Sequence, residues 1–355
     1  MKFTVLLVSA MLQAAPAQDF AYPHLKKEDS ARLSKIAADV CANASRVAAE
    51  TKNTRLSEAH KRHCVETKPP SVTGLIVAFH HLNLETKRSQ KTEKAFFKST
   101  IPVLAISLKQ YPDFPEPPAV WSMTGAIQEL SGLAHDKKRN ILWSHGDSGT
   151  GEFIGRTDLK TFKTEKVRVE NAKNHDWEAI VVDSKARVWI LDVGDNLGAR
   201  KKTRLYRVDP EKIKDGSVAA EREIGVRFES GAHDIEAGVV EGDTLYLIGK
   251  DYYKRSRVHS VDLRDEAEDS QIAKALGETP VVPPISDATL TSDGRLILLT
   301  YFGLYELLNW KDPKARALKQ LNSDVLGQIE AITSVSPDSV YIGREDGKVF
   351  SSKIR

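Results

Sequence analysis

The sequence predicts an all-β fold over residues 119–355, a five-bladed β-propeller with six blades as the alternative, preceded by a small helical N-terminal region. Three observations predict it. After residue 118, short apolar runs rich in Val, Ile, Leu, Tyr and Trp alternate with Asp, Gly, Asn and Ser turns, with no amphipathic helical pattern between them. Five segments then superimpose: Glu129-Leu-Ser-Gly-Leu133, Trp177-Glu178-Ala-Ile-Val181, Ile235-Glu236-Ala-Gly-Val239, Ser286-Asp287-Ala-Thr-Leu290 and Ile329-Glu330-Ala-Ile-Thr333. Their acids fall 49, 58, 51 and 43 residues apart, the span of one blade. Finally, each acid is followed by a turn, a second apolar run such as Val188-Trp-Ile-Leu191 or Leu296-Ile-Leu-Leu299, and in most repeats a visible third.

The elements follow in order. Lys2, the uncharged run Phe3 to Leu12 and the small residues of Ala15-Pro16-Ala17 read as a signal peptide over 1–17. The apolar run is too short for a membrane span, and no later segment is long enough, so a periplasmic or secreted protein is expected. Residues 18–66 read as a helical hairpin, with Leu33, Ile36, Ala37, Val40 and Val47 at helical spacing and a break at Asn53-Thr54. Cys41 and Cys64 fall on its two arms, and an oxidising compartment predicts that they pair. Residues 67–118 are ambiguous and end in a proline-rich linker, Tyr111 to Pro118. The run Ala119-Val-Trp-Ser-Met123 has no blade of its own, and the last repeat lacks an outer strand. The first is therefore expected to complete the last and close the ring.

Composition is that of a globular chain, 41% hydrophobic and 28% charged, with a net charge of +3. The basic runs Lys137-Lys138-Arg139 and Arg200-Lys201-Lys202 are flanked by acids and read as solvated turns, so nucleic acid is not an expected partner.

In a propeller the start of each inner strand and the end of the next strand share one rim. Glu129, Glu178, Glu236, Asp287 and Glu330 stand at the starts, and His145, Asp147, Asp195, Lys250 and Arg344 at or near the ends. Five carboxylates around an axis must be partly protonated or hold a cation. Oxygen donors and an exported protein point to calcium on those five acids. The other reading has the acids bonding backbone amides and binding nothing. His145, Asp147 and Asp195 are the candidates to orient or deprotonate water, and Arg200, Lys250 and Arg344 the candidates to hold an anionic group.

Trp143-Ser-His145-Gly-Asp147-Ser-Gly149, Asp176-Trp-Glu178, Gly194-Asp-Asn196 with Arg200, and Tyr206-Arg-Val208 resemble a group of exported bacterial propellers of the esterase-like phytase type, over about residues 119–355. Gly146 stands where that group commonly has asparagine. Glu129-Leu-Ser131 and Ile329-Glu330 are distantly similar to the calcium-activated apyrases, whose resemblance implies five blades around a central calcium. No nucleotide-binding motif accompanies them. Gly146-Asp-Ser-Gly149 imitates a serine-protease motif but ends a strand, Asn43-Ala-Ser45 is a sequon inside a helical stretch, and His80-His81 sits among apolar residues.

Three functions are compatible with these residues: a cation-holding propeller that binds a small anionic ligand, a calcium-assisted hydrolase of phosphate or carboxylic esters, and an envelope interaction module acting through the helical hairpin. A monomer is expected in each case.

Overall fold

The computed structural model describes residues 119–354 except 124, 196–197, 251–254, 282–284, 301–302 and 322–328, together with scattered positions between 41 and 65. The chain divides into two compact units, Met1–Glu116 with Leu326–Gln328, and Pro117–Val325 with Ile329–Arg355. In the first unit, positions 41–42, 45–46, 48–50, 57 and 60 are helical. Cys41 is buried and disulfide-bonded. The sequence offers one other cysteine, Cys64, which lies outside the described residues, as do the signal peptide, most of the expected hairpin and the 67–118 segment. No helix among the described residues is long and apolar enough to cross a membrane.

The second unit is all-β, with large multi-stranded sheets that fit a propeller-like fold. Its described strands pair as successive antiparallel meanders. The first holds β2 (Leu130–Asp136), β3 (Ile141–Gly146), β4 (Phe153–Asp158) and β5 (Thr164–Glu170), and the second β6 (Trp177–Val182), β7 (Val188–Asp192), β8 (Thr203–Val208) and β9 (Ser217–Phe228). The third holds β10 (Ile235–Glu241), β11 (Thr244–Gly249), β12 (Arg255–Asp262) and β13 (Ser270–Val281). The fourth holds β14 (Ile285–Leu290), β15 (Leu296–Thr300), β16 (Gly303–Leu308) and β17 (Ala317–Leu321). The last joins β18 (Ile329–Ser336), β19 (Ser339–Arg344) and β20 (Lys348–Lys353) to β1 (Trp121–Ser122), with Trp121 opposite Val349.

Burial explains the sequence pattern of each strand. The second strands β3, β7 and β15 are buried along their whole length, which is why they read as continuous apolar runs rather than alternating ones. The outer strand β5 alternates and buries only Val167 and Val169. Trp143 and Trp177 meet Tyr206 in one core between the first two meanders, and Trp189 meets Leu245 and Leu247 in the next. Each such tryptophan, fully buried here, removes roughly 150–250 Å² from water. The tight turns are held by aspartates. Asp183 accepts from the backbone amides of Lys185 and Arg187 and from the Trp189 indole at 2.9 Å, tying turn to core.

The innermost strands β2, β6, β10, β14 and β18 pack side by side in that order, and β18 packs back on β2. Every one of them carries a β-bulge near its start. The register slips between Leu130 and Gly132, Trp177 and Ala179, Ile235 and Ala237, Ile285 and Asp287, and Ile329 and Ala331. The bulged residues are therefore Ser131, Glu178, Glu236, Ser286 and Glu330. A bulge bends its strand and re-aims a side chain, so these positions, rather than a shared acid, are equivalent between the meanders. The repeat alignment expected an acid at every one. The bulges hold three acids and two serines, while Glu129 falls two residues before its bulge and Asp287 one residue after.

Candidate functional site

The bulges build the site. Ser131 Oγ donates to Glu178 Oε2 at 3.4 Å, Glu178 is hydrogen-bonded to Glu236, and Lys250 Nζ donates to Glu236 Oε1 at 2.9 Å. Both carboxyls are buried, and the lysine side chain is 8% exposed. Burial raises the Glu178 carboxyl well above the ordinary range, and the charge of Glu236 raises it further. Burial also raises Glu236, against the pull of the Lys250 ammonium. Two acids facing one buried cation hold one negative charge most cheaply, with a proton shared between them. Lys250 thus supplies part of the positive charge that these two buried acids demand.

A second cluster lies on the same rim. One carboxylate oxygen each from Asp147, Asp176 and Glu178 lies within 4.8 Å of the others. Asp147 sits in the β3–β4 loop, where its carbonyl accepts from Thr150 Oγ1 at 2.6 Å and from Asn174 Nδ2 at 3.0 Å. Asp176 precedes β6, its amide donating to Asp192 Oδ1 at 2.8 Å and its carbonyl accepting from the Gly194 amide at 3.1 Å. Burial, with the charges of Asp147 and Asp234 behind it, pushes the Asp176 carboxyl up to about 6 while Arg200 opposes the shift. Gly194 floors the cluster. A Cβ there would lie 2.4 Å from Glu178 Oε1 and 2.6 Å from Asp176 Oδ2, so only glycine lets both carboxylates approach. Gly194→Ala is therefore expected to displace both and to cost about 1–3 kcal/mol in denaturant unfolding.

The remaining sequence-predicted residues are placed differently. His145 is fully buried. Its Nδ1 lies 3.0 Å from the Gly146 carbonyl, its ring meets Trp177 edge-on, and a Cβ on Gly132 would lie 2.3 Å from its Nε2. Burial lowers its pKa to about 4, so it stays neutral in the core. Asp195 accepts from the amides of Ala199 and Arg200, both at 2.8 Å, which commits both carboxylate oxygens to the loop. Arg200 donates to the carbonyls of Gly194 and Asp192 and to Asp192 Oδ2. Arg344 forms a forked pair with Asp346. Asp287 bonds the amides of Ala288 and Ile332, the second on the neighbouring inner strand, so it stitches β14 to β18. Glu129 is half-buried with φ 48°, its carbonyl accepting from the Asp147 amide. Glu330 is half-buried at its bulge.

Asp176 and Asp234, which receives the Asp195 amide, were not among the sequence candidates. For Asp176 the signal was present: Asp176-Trp-Glu178 puts two acids on one side of an extended chain, at the period-two spacing of a strand.

No protein-family model and no curated protein matches the chain. Among solved structures it is similar to a PQQ-bound aldose sugar dehydrogenase from Streptomyces coelicolor, at 10% identity and a TM-score of 0.42 over 67% of this chain and 98% of that one. A gluconolactonase from Xanthomonas campestris gives 10% identity and a TM-score of 0.38 over 66% and 89%. An inactive virginiamycin B lyase from Staphylococcus aureus, solved with quinupristin, gives 14% and 0.35 over 66% and 73%. Likenesses at these levels assign neither a substrate nor a reaction.

Proposed function

We propose that residues 119–355 form a five-bladed β-propeller whose acidic rim binds one hard divalent cation, calcium in an exported protein, and that the chain acts as a ligand-binding module through that rim. The observation that carries this reading is the trio Asp147, Asp176 and Glu178, whose oxygens converge over the Gly194 floor. Three oxygen donors and no nitrogen or sulfur suit calcium, magnesium or manganese rather than a softer metal. A bound cation supplies positive charge at a rim where Arg200, Lys250 and Arg344 already donate to groups of the protein itself. The expected ligand is therefore anionic.

Calcium, magnesium and manganese are to be titrated into chelator-treated protein, followed by calorimetry and thermal melting. A cation present at 100 times its Kd should stabilise by about 2.7 kcal/mol. Asp176→Asn and Glu178→Gln, each nearly isosteric, should remove the shift without preventing folding. Absence of binding heat and of any shift with all three metals would sink the reading.

Hydrolysis of phosphate or carboxylic esters at the same rim is the second reading. It is favoured by Asp176, a half-buried carboxyl with its pKa pushed up to about 6, close enough to neutrality to exchange a proton with water. A panel of phosphomonoesters, carboxylic esters and lactones, run with calcium and with chelator, separates the two readings.

A further inference from the structure

At the far end of the inner strands from the acidic rim lies a cavity of about 350 Å³. It is walled by the C-terminal halves of all the inner strands, including His135 on β2, Thr289 on β14 and Thr333 on β18, and by Lys137 and Lys138 of the β2–β3 turn. Its acids are already neutralised. Asp136 is paired with Arg139 at 2.6 Å, and Asp183 with Arg187 at 2.7 Å. Its donors are not. Lys137 and Lys138 are exposed, and neither forms an ion pair with a described residue. Thr333 Oγ1 accepts from the His135 amide at 3.0 Å, and Thr289 Oγ1 accepts from the Ser334 amide at 2.9 Å. A hydroxyl whose lone pair is taken by an amide still has its own proton to give. Burial lowers the pKa of His135, and the Ser334 backbone acts on the ring as the acceptor for its single N–H, so the buried ring adds no donor to the cavity. Unmet donors in a buried wall are costly unless something enters to accept from them.

We propose that this cavity is a second binding site, for a small oxyanion, carboxylate or phosphate, held by Lys137 and Lys138 at the opening and by the Thr289 and Thr333 hydroxyls within. The observation behind it is the surplus of unpaired donors beside acids that are already matched. The volume is at the small end for ligand pockets, which run from about 300 to 1,000 Å³, so the ligand is compact. This site shares no residue with the acidic rim, and its charge is of the opposite sign. The two ends of the ring of inner strands thus present opposite charge.

The test uses the full chain and two probes, inorganic phosphate and acetate, titrated calorimetrically at constant ionic strength with chloride as the balancing anion. Saturable binding of either probe is expected, and the tighter of the two identifies the oxyanion. The double variant Lys137→Met, Lys138→Met, which alters exposed side chains, should weaken binding about tenfold or more, one such factor being about 1.4 kcal/mol. Thr333→Val, close to isosteric, should weaken it by a smaller factor; it also removes the acceptor of the His135 amide, so its melting temperature should fall while that of the double lysine variant stays unchanged. The proposal is overturned if neither probe binds at millimolar concentration, or if both variants bind as the wild type does.

Discussion

Lys250→Met is expected to lower the unfolding free energy by about 1–2 kcal/mol at pH 8 and by more as the pH rises, toward the roughly 3–5 kcal/mol cost of a buried charge left without its partner. The lysine side chain is 8% exposed and its partner Glu236 2%. The substitution keeps most of the aliphatic stem, so lost packing contributes little. What remains is a buried carboxyl beside a second one, Glu178, with no cation between them. The pH dependence follows from the shifts. Glu236 is raised by burial to about 7 even with Lys250 opposing, so between its ordinary value and 7 the folded state holds more protons than the unfolded state. Stability due to this group therefore falls as pH rises through that window. Without the lysine the folded pKa rises further and the window extends upward. The deficit of the variant should accordingly be small near pH 5, where a protonated Glu236 needs no counter-charge, and should grow by about 1.4 kcal/mol for each pH unit above 7 until the variant's own raised pKa is passed. Denaturant melts of both proteins from pH 5 to 9 measure it. A deficit independent of pH would mean that Lys250 acts through packing and not charge.

The same buried pair shows what could be read from the sequence. The apolar runs and their spacing carried the strands, because a strand buried on both faces leaves an unbroken hydrophobic stretch, as in Val188-Trp-Ile-Leu191. The link from Trp121 to the last meander was legible for a related reason: an unpaired run preceded the first repeat while the last repeat lacked a strand. The ring was less legible. A bulge adds one residue without changing the apolar pattern on either side, so an alignment by pattern settled on the nearest acid. That choice landed on the bulge in Glu178, Glu236 and Glu330, and missed it where the bulged residue is Ser131 or Ser286. His145 shows a second limit. Its position at the end of β3 is near the rim, but the pleat turns its ring between Gly132 and Trp177, and a one-residue difference in strand phase decides that. Asp195 and Arg200 show a third. Polar residues in a loop are read as available until the loop's own amides and carbonyls are counted against them.

Removal of β1 is expected to have the largest effect of all. The strand is short, yet Trp121 stacks on Phe162 at 5.0 Å and meets Tyr341 edge-on at 4.9 Å, and Met123 is fully buried. Around them one core joins Leu130, Leu133 and Leu142 of the first meander to Ala331 and Val349 of the last. The backbone adds bonds from the Val120 amide to the Val349 carbonyl at 2.8 Å and from the Met123 amide to the Gly347 carbonyl at 2.7 Å. Trp121→Ala alone should cost about 3–5 kcal/mol, as truncation of a buried aromatic does. Truncation through Met123 removes both side chains and also uncovers the edge of β20, a row of unpaired amides and carbonyls ready to pair with another chain. That truncated protein should elute as aggregate on size-exclusion chromatography, whereas one truncated only through Asn53 keeps β1 and should elute as a single species. If truncation through Met123 instead leaves a monodisperse protein with an unchanged melting curve, β1 does not close the ring. In that case the packing of β18 against β2 holds it shut without help.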